Sequence, residues 1–455
     1  MRRKACLVGL VLCITSAAAQ VSHVESGPAA SERWQRYNGW KFGMFIHWGP
    51  YSLASVEASW PIMTPSRDPQ DPARNAISEA EYRALPSRFN PVRYDPREWV
   101  RLAQRAGQRY MVFTSKHHDG FCMFDSAYTE YKITRTPYGK DVAAMLAAAA
   151  REERMPLGFY YSPPDMNHPG YRDTTKPASM NWRGQPWRPE WPLYLDYMEL
   201  QAAELLTRYG NVAVVWFDGL DEQRKYDGYR FQRLIRELQP GALMNNRIGL
   251  PGDFSTPEQR IPAGIPTRAG TVGATNPAED AGLSKQVPSP GDFQPWETCM
   301  TINDTWAYNK NDRNFKTASE LIRTLIEVAS RGGNFLLNVG PTPEGTIQPE
   351  FQERLLAIGD WLKTNGEAVY GTTFGPWQNL SFGRTTAKGR MIYLHIFQWP
   401  GGSLNIQADG IMVRRVTLLA GRRTLEFSQN GSSLLIRLPP DPPDPAASVL
   451  SIETR

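Results

Sequence analysis

Val214-Val215-Trp216-Phe217-Asp218-Gly219 is an uncharged apolar run that ends in a carboxylate and then a glycine. From Ala213 to Trp216 no charge interrupts it, as a strand buried on both faces requires. A carboxylate at the carboxyl end of such a strand sits where parallel-sheet enzymes carry their chemistry. The plainer alternative is an Asp that caps the following helix. The indole two residues earlier favours the first reading, because an aromatic beside a strand-end carboxylate suits the apolar face of a sugar ring.

The same pattern repeats outward from this run. Upstream, residues 193–209 read as an amphipathic helix and residues 156–162 (PLGFYYS) as a strand ending in Tyr160-Tyr161. Residues 142–153 are an Ala-rich helix, residues 110–115 (YMVFTS) a strand running into Lys116-His117-His118-Asp119, and residues 96–106 a helix. Residues 40–49 (WKFGMFIHWG) read as the first strand, ending in His47-Trp48, and residues 20–35 as a polar leader. Downstream come a helix at 229–238 and a strand at 242–246 that ends in Arg247. A long Pro/Gly-rich stretch follows at about 250–293, then a strand at 296–302, a helix at 318–330, a strand at 334–339 and a helix at 351–363. Alternation over this length predicts an α/β fold, a (β/α)8-like TIM barrel. After about residue 370 short alternating runs separated by Gly, Asn and Pro predict an antiparallel β-sandwich, read as a support for the barrel. The expected domains are 1–19 as a signal peptide, 20–369 as the catalytic barrel and 370–455 as the sandwich.

A net charge of +5 spread over 455 residues leaves no basic patch for nucleic acid. Arg2, Arg3 and Lys4, a short apolar run and Ala17-Ala18-Ala19 predict a cleaved leader, hence an exported protein, periplasmic or secreted. No stretch is long and apolar enough for a membrane span. Of the four cysteines, Cys122 and Cys299 remain after the leader; they read either as a disulfide pair or as free buried thiols. No GxGxxG follows the first strand, so no dinucleotide cofactor is expected.

A barrel would gather His47, His117, His118, Tyr160, Tyr161, Trp216, Asp218 and Arg247 on one face. Three of the chain's six histidines would stand there, with Trp48, Trp216 and Trp306 as apolar walls. A neutral sugar needs this mixture of a few placed polar groups and aromatic surface. Metal binding by His117-His118-Asp119 is the rival reading. Adjacent strand residues point apart and no H-x-H or H-x-x-x-H spacing occurs, so no metal is expected. Glycoside hydrolysis requires two carboxyl groups. Asp218 fits the nucleophile; Glu258, in the long loop, and Glu297, at a strand start, compete for the acid/base.

The motifs KFGMFIHWG (41–49), KHHDGF (116–121), GFYYS (158–162), WFDG (216–219), WETC (296–299) and NFLLNVGP (334–341), in this order, resemble glycoside hydrolase family 29 α-L-fucosidases. The resemblance covers nearly all of the chain after the leader. It implies a retaining exo-enzyme that removes terminal L-fucose from glycans or glycoconjugates without a cofactor. By position it makes Asp218 the nucleophile, and His47, His117, His118, Tyr161, Trp216 and Arg247 the residues that hold fucose. Trp306 would pack on the sugar's methyl group and Glu258 would be preferred over Glu297 as acid/base. The family's Glu-Trp pair after the first strand is replaced by Glu57-Ala58-Ser59-Trp60, so Trp60 is expected to keep its role and Glu57 is a candidate for a sugar hydroxyl. That departure leaves a related 6-deoxy sugar or a galactoside as an alternative substrate, and a fucose-binding protein without turnover as an alternative function.

Overall fold

The computed structural model describes residues 28–63, 77–220, 222–289, 291–378 and 380–455. The expected leader, residues 1–19, lies outside them, as do residues 64–76.

Seven parallel strands form the central sheet: β1 (Phe42–Ile46), β2 (Tyr110–Lys116), β3 (Leu157–Tyr161), β4 (Val212–Phe217), β5 (Leu243–Met244), β6 (Glu297–Thr301) and β7 (Asn334–Val339). Their order is 5-4-3-2-1-7-6. The expected alternation is therefore present, with seven strands where a complete barrel would have eight. Between the edges β5 and β6 runs the segment 254–258, which makes isolated bridges only: Asn245 with Phe254, Ser255 with Trp296 and Glu258 with Cys299. The fifth strand is short because Asp253 takes over its end. Its backbone N–H donates to the Met244 carbonyl at 2.7 Å, and its carboxylate accepts from Met244 N at 2.8 Å.

Successive strand residues point to opposite faces of the sheet, and the chain fills both. Phe45, Tyr110, Val112, Tyr160, Val214, Trp216 and Leu336 belong to an inner apolar cluster. Met44, Ile46, Met111, Phe113, Phe159, Tyr161, Val215 and Phe217 face outward, into the larger cluster under the helices. Those helices start at capped positions. Asp95 accepts from Arg97 N and Glu98 N before Pro96–Arg105, Asp141 accepts from Ala144 N before Val142–Glu152, and Thr317 with Glu320 forms a capping box before Ala318–Ser330.

Of the polar leader expected at 20–35, residues 20–27 lie outside the described residues and the rest belongs to a helix, Pro28–Trp40. Trp34, Tyr37 and Trp40 recur every three residues and turn one aromatic stripe toward the amino ends of the strands, where Tyr37 packs at 5.0 Å on Phe254 and 5.3 Å on Tyr110. Lys41 then reverses the chain at φ 57°, which is why β1 begins at Phe42 rather than Trp40.

In the C-terminal region two antiparallel sheets, six- and three-stranded, enclose a separate apolar core that includes Leu394, Val416, Leu434, Ile436 and Ile452. They meet the parallel part at the helices Ala318–Ser330 and Pro349–Asn365. Arg323 Nε donates to Ala446 O at 2.8 Å and Trp361 Nε1 to Ala447 O at 2.9 Å. Cys122 and Cys299 are buried free thiols, so the disulfide alternative is not realised. No helix of the described residues is long and apolar enough to cross a membrane.

Candidate active site

Every strand-end candidate arises where a buried strand runs out. Asp218 follows β4. Its Oδ1 accepts from Arg247 Nη1 at 2.9 Å and its Oδ2 from the Tyr160 hydroxyl at 2.8 Å, while His118 Nε2 lies 3.5 Å from Oδ2. The strand end is fixed by Asn245, whose side-chain amide exchanges both hydrogen bonds with the Phe217 backbone. Burial alone would lift the Asp218 pKa. The Arg247 guanidinium and the Tyr160 hydroxyl outweigh it and hold the carboxyl below its ordinary value. Asp218 is thus an ionised carboxylate whose side chain is 13% exposed.

Arg247 joins the two carboxylates. The same Nη1 donates to Glu258 Oε2 at 2.8 Å, and Thr256 anchors the rest of the guanidinium through its hydroxyl and carbonyl. Two oxygens bound to one nitrogen at these distances stand no more than about 5.7 Å apart. That bound lies close to the roughly 5–5.5 Å of retaining glycosidases and below the roughly 6.5–9.5 Å of inverting ones.

The floor is an aromatic column. His117 stacks on Tyr160 at 5.4 Å, Tyr160 on Trp216 at 5.7 Å, and the Arg247 guanidinium lies 4.9 Å from the Trp216 ring. Trp306 tilts over His47 at 5.0 Å as a partly exposed wall. His117 and His118 lie past the end of β2, so their rings come to one side, 4.3 Å apart; the expectation that they point apart does not hold. Burial keeps both His47 and His118 neutral, with pKa values lowered to about 4, and pushes His117 well below its ordinary value.

Four expectations are corrected. Tyr161 does not face the site. Its hydroxyl donates to Gln201 at 2.8 Å and its ring covers the buried Lys116 ammonium at 4.3 Å. Tyr160, one residue earlier, takes the inner face, and the alternation that puts Trp216 inward could have selected it through their shared register. Glu297 stands far from Asp218's end of the sheet, at the amino end of β6. Tyr37 and Tyr110 donate to its Oε2 and Trp216 Nε1 to its Oε1 at 2.9 Å. Burial raises its pKa to about 7 against those donors. It holds the Trp216 indole from below, whereas Glu258 shares Arg247 with Asp218. Glu57 likewise spends its carboxylate on backbone: Oε2 accepts from Trp306 N at 2.8 Å and Oε1 from Ala307 N at 3.1 Å and Ala58 N at 3.0 Å. Trp48 packs outside the sheet against Phe89, Tyr94 and Trp99. Trp60 opens a short helical turn, Trp60–Met63, directly after Ser59, whose hydroxyl reaches His117.

Among the described residues no cluster of His, Cys, Asp and Glu is arranged to hold a metal ion. A strand-end aspartate, a second carboxylate on the same guanidinium, neutral imidazoles and an indole floor define a glycoside hydrolase of the two-carboxylate type. The sequence profile of the alpha-L-fucosidase family matches residues 13–367, and the chain belongs to that family. It is similar to Alpha-L-fucosidase isoenzyme 1 from Paenibacillus thiaminolyticus, with 34% identity and a TM-score of 0.81 over 94% of this chain and 100% of that one. A glycoside hydrolase family 29 α-L-fucosidase from Bacteroides thetaiotaomicron, solved as a trapped covalent intermediate with 2-fluoro-fucosyl fluoride, is 25% identical with a TM-score of 0.77 over 96% of this chain and 98% of that one. The Alpha-L-fucosidase of Branchiostoma floridae is 27% identical and aligns with 94% of each chain.

Proposed function

We propose that the chain is an exo-acting retaining α-L-fucosidase that releases terminal fucose from a glycan or glycoconjugate. The observation that carries this reading is the single Arg247 nitrogen shared by Asp218 and Glu258. It holds a nucleophile and a proton donor within about 5.7 Å of each other, close to the spacing a retaining mechanism needs. In the first step Asp218 attacks the anomeric carbon and Glu258 protonates the departing oxygen. In the second Glu258 takes a proton from water, which displaces Asp218. The seven-stranded sheet with the segment 254–258 between its edges then works as a barrel whose mouth is the sugar site. Incubated with an aryl α-L-fucoside, the protein is expected to release L-fucose whose first-formed anomer, followed by NMR before mutarotation, is α. Release of β-fucose, or binding without release, overturns the proposal.

Glu57 then acts on the sugar through Trp306 and not directly. In Glu57→Gln the amide nitrogen would meet either the Trp306 or the Ala307 N–H, an unsatisfied buried contact worth about 1–3 kcal/mol. The indole wall at the fucose methyl group would loosen. We expect kcat/KM to fall roughly tenfold on a fucoside. It should change little on a β-D-arabinopyranoside, the same ring without the methyl group. An equal loss on both substrates would mean that Glu57 holds a hydroxyl.

A further inference from the structure

The three imidazoles at the mouth differ in what stands behind them. Behind His47 is Asn338: its Nδ2 donates to the Trp306 carbonyl at 2.7 Å, which fixes the amide so that Oδ1 faces His47 Nδ1 at 2.7 Å. An amide oxygen only accepts, so His47 Nδ1 carries the proton and Nε2 is a bare lone pair. Behind His118 is Ser162, which donates its one hydroxyl proton to the Pro164 carbonyl at 2.7 Å and so accepts from His118 Nδ1 at 2.6 Å. Nε2 of His118 is bare as well, and it lies 3.5 Å from the Asp218 carboxylate. Behind His117 is Ser59, which accepts from Asp119 N at 2.9 Å and, among the described residues, has His117 Nδ1, at 2.7 Å, as the acceptor within reach of its own hydroxyl proton. His117 is therefore protonated on Nε2.

We propose that Asn338, Ser162 and Ser59 lock the three histidines into unlike tautomers, so that the mouth offers two acceptors, His47 Nε2 and His118 Nε2, and one donor, His117 Nε2. These three partners are positioning residues: they act on the substrate only through the rings they orient. The consequence is directional recognition. Three hydroxyls of a pyranose are met by a fixed order of accept, accept and donate, so a sugar is selected by the sense of its hydrogen bonds as well as by shape. The bare His118 nitrogen gains most from a hydroxyl donor, since without one its lone pair confronts a carboxylate. The pKa of each ring is lowered by burial, which keeps all three neutral and the pattern intact at pH 7.

The tautomers themselves rest on protein–protein bonds alone; only the identity of the sugar rests on the fucosidase reading. Nitrogen-15 NMR of the full chain labelled at histidine, with single His→Gln variants used to assign resonances, reads each ring. The expected result is a protonated Nδ1 on His47 and His118 and a protonated Nε2 on His117. A different tautomer on any of the three, or double protonation at pH 7, overturns the proposal. In Ser59→Ala the His117 signals should become a mixture of tautomers while those of His47 and His118 stay put; an unmoved His117 also overturns it. Neutron diffraction of the wild-type protein gives the same answer should the variant fail to fold. Addition of L-fucose should shift the Nε2 signals of all three rings. Unshifted signals with the expected tautomers would sink the sugar assignment and leave the lock standing. Among mono-deoxyfluoro fucoses, in which fluorine cannot donate, two positions of substitution should each weaken binding more than about tenfold. Tolerance at all positions refutes the directional pattern.

Discussion

Asp218→Ala is expected to cut kcat/KM on an aryl α-L-fucoside by roughly 10⁴-fold or more, the scale seen when a covalent nucleophile is removed. The size follows from how completely the carboxylate is committed. One oxygen is held by Arg247 and the other by Tyr160, so the carboxylate is fixed at both ends. The variant should still fold, because Arg247 keeps Glu258 and Thr256 as partners and is not left as an unpaired buried charge. A urea midpoint close to wild type checks this. The deletion also opens a space the size of a small anion beside a guanidinium. Azide is expected to enter it, attack the anomeric carbon directly and yield β-L-fucosyl azide, with one inversion in place of two. In the wild-type protein, 2-fluoro-fucosyl fluoride should add one sugar to the peptide that contains Asp218, and none in the variant. Activity within tenfold of wild type in Asp218→Ala, or a label on another residue, would refute the assignment.

The site was legible wherever its chemistry is written at the end of an apolar strand. Asp218, His47 and the His117-His118 pair announce themselves because burial on both faces erases charge from a strand until the residue where it emerges. What stayed hidden depends on partners far away in the chain. Glu57 and Glu297 look like sugar-site carboxylates in sequence; their backbone and phenol donors lie 249 and 260 residues off. Tyr161 and Tyr160 are adjacent, and a one-residue choice of face separates the tyrosine that touches Asp218 from the one that touches Gln201. The first part of the helix Pro28–Trp40, residues 28–35, reads as part of a polar leader because its Arg, Glu and Gln residues stand out over its aromatics. Yet those aromatics, spaced by three, carry the contact with the sheet. All seven strands are legible, but closure into a barrel is not, for a similar reason: the segment 254–258 stands in the gap between β5 and β6 yet makes only single bridges, and no sequence pattern distinguishes that from an eighth strand.

Glu258→Ala should show a different signature from Asp218→Ala, and the contrast separates their roles. A proton donor matters in proportion to the basicity of the departing oxygen. With a dinitrophenyl fucoside, whose leaving group needs no proton, we expect kcat/KM to stay within about tenfold of wild type. With an oligosaccharide the loss should reach about 10²–10⁴-fold. Hydrolysis of the fucosyl-enzyme also needs Glu258, now as a base on water, so kcat on the activated substrate should collapse and the intermediate accumulate. Azide needs no base and should restore turnover, here giving α-L-fucosyl azide, since Asp218 still performs the first inversion. The side chain is 22% exposed, so the deletion leaves room for the anion without unfolding the site. Glu297→Gln supplies the decisive comparison. Its oxygens hold Tyr37, Tyr110 and Trp216, so that variant should lose stability and lower the rate on both substrates alike, without azide rescue. Were Glu297→Gln to show the leaving-group dependence and the retained azide product while Glu258→Ala did not, the proton donor would have to be the buried residue, and the shared guanidinium would be an anchor for Asp218 alone.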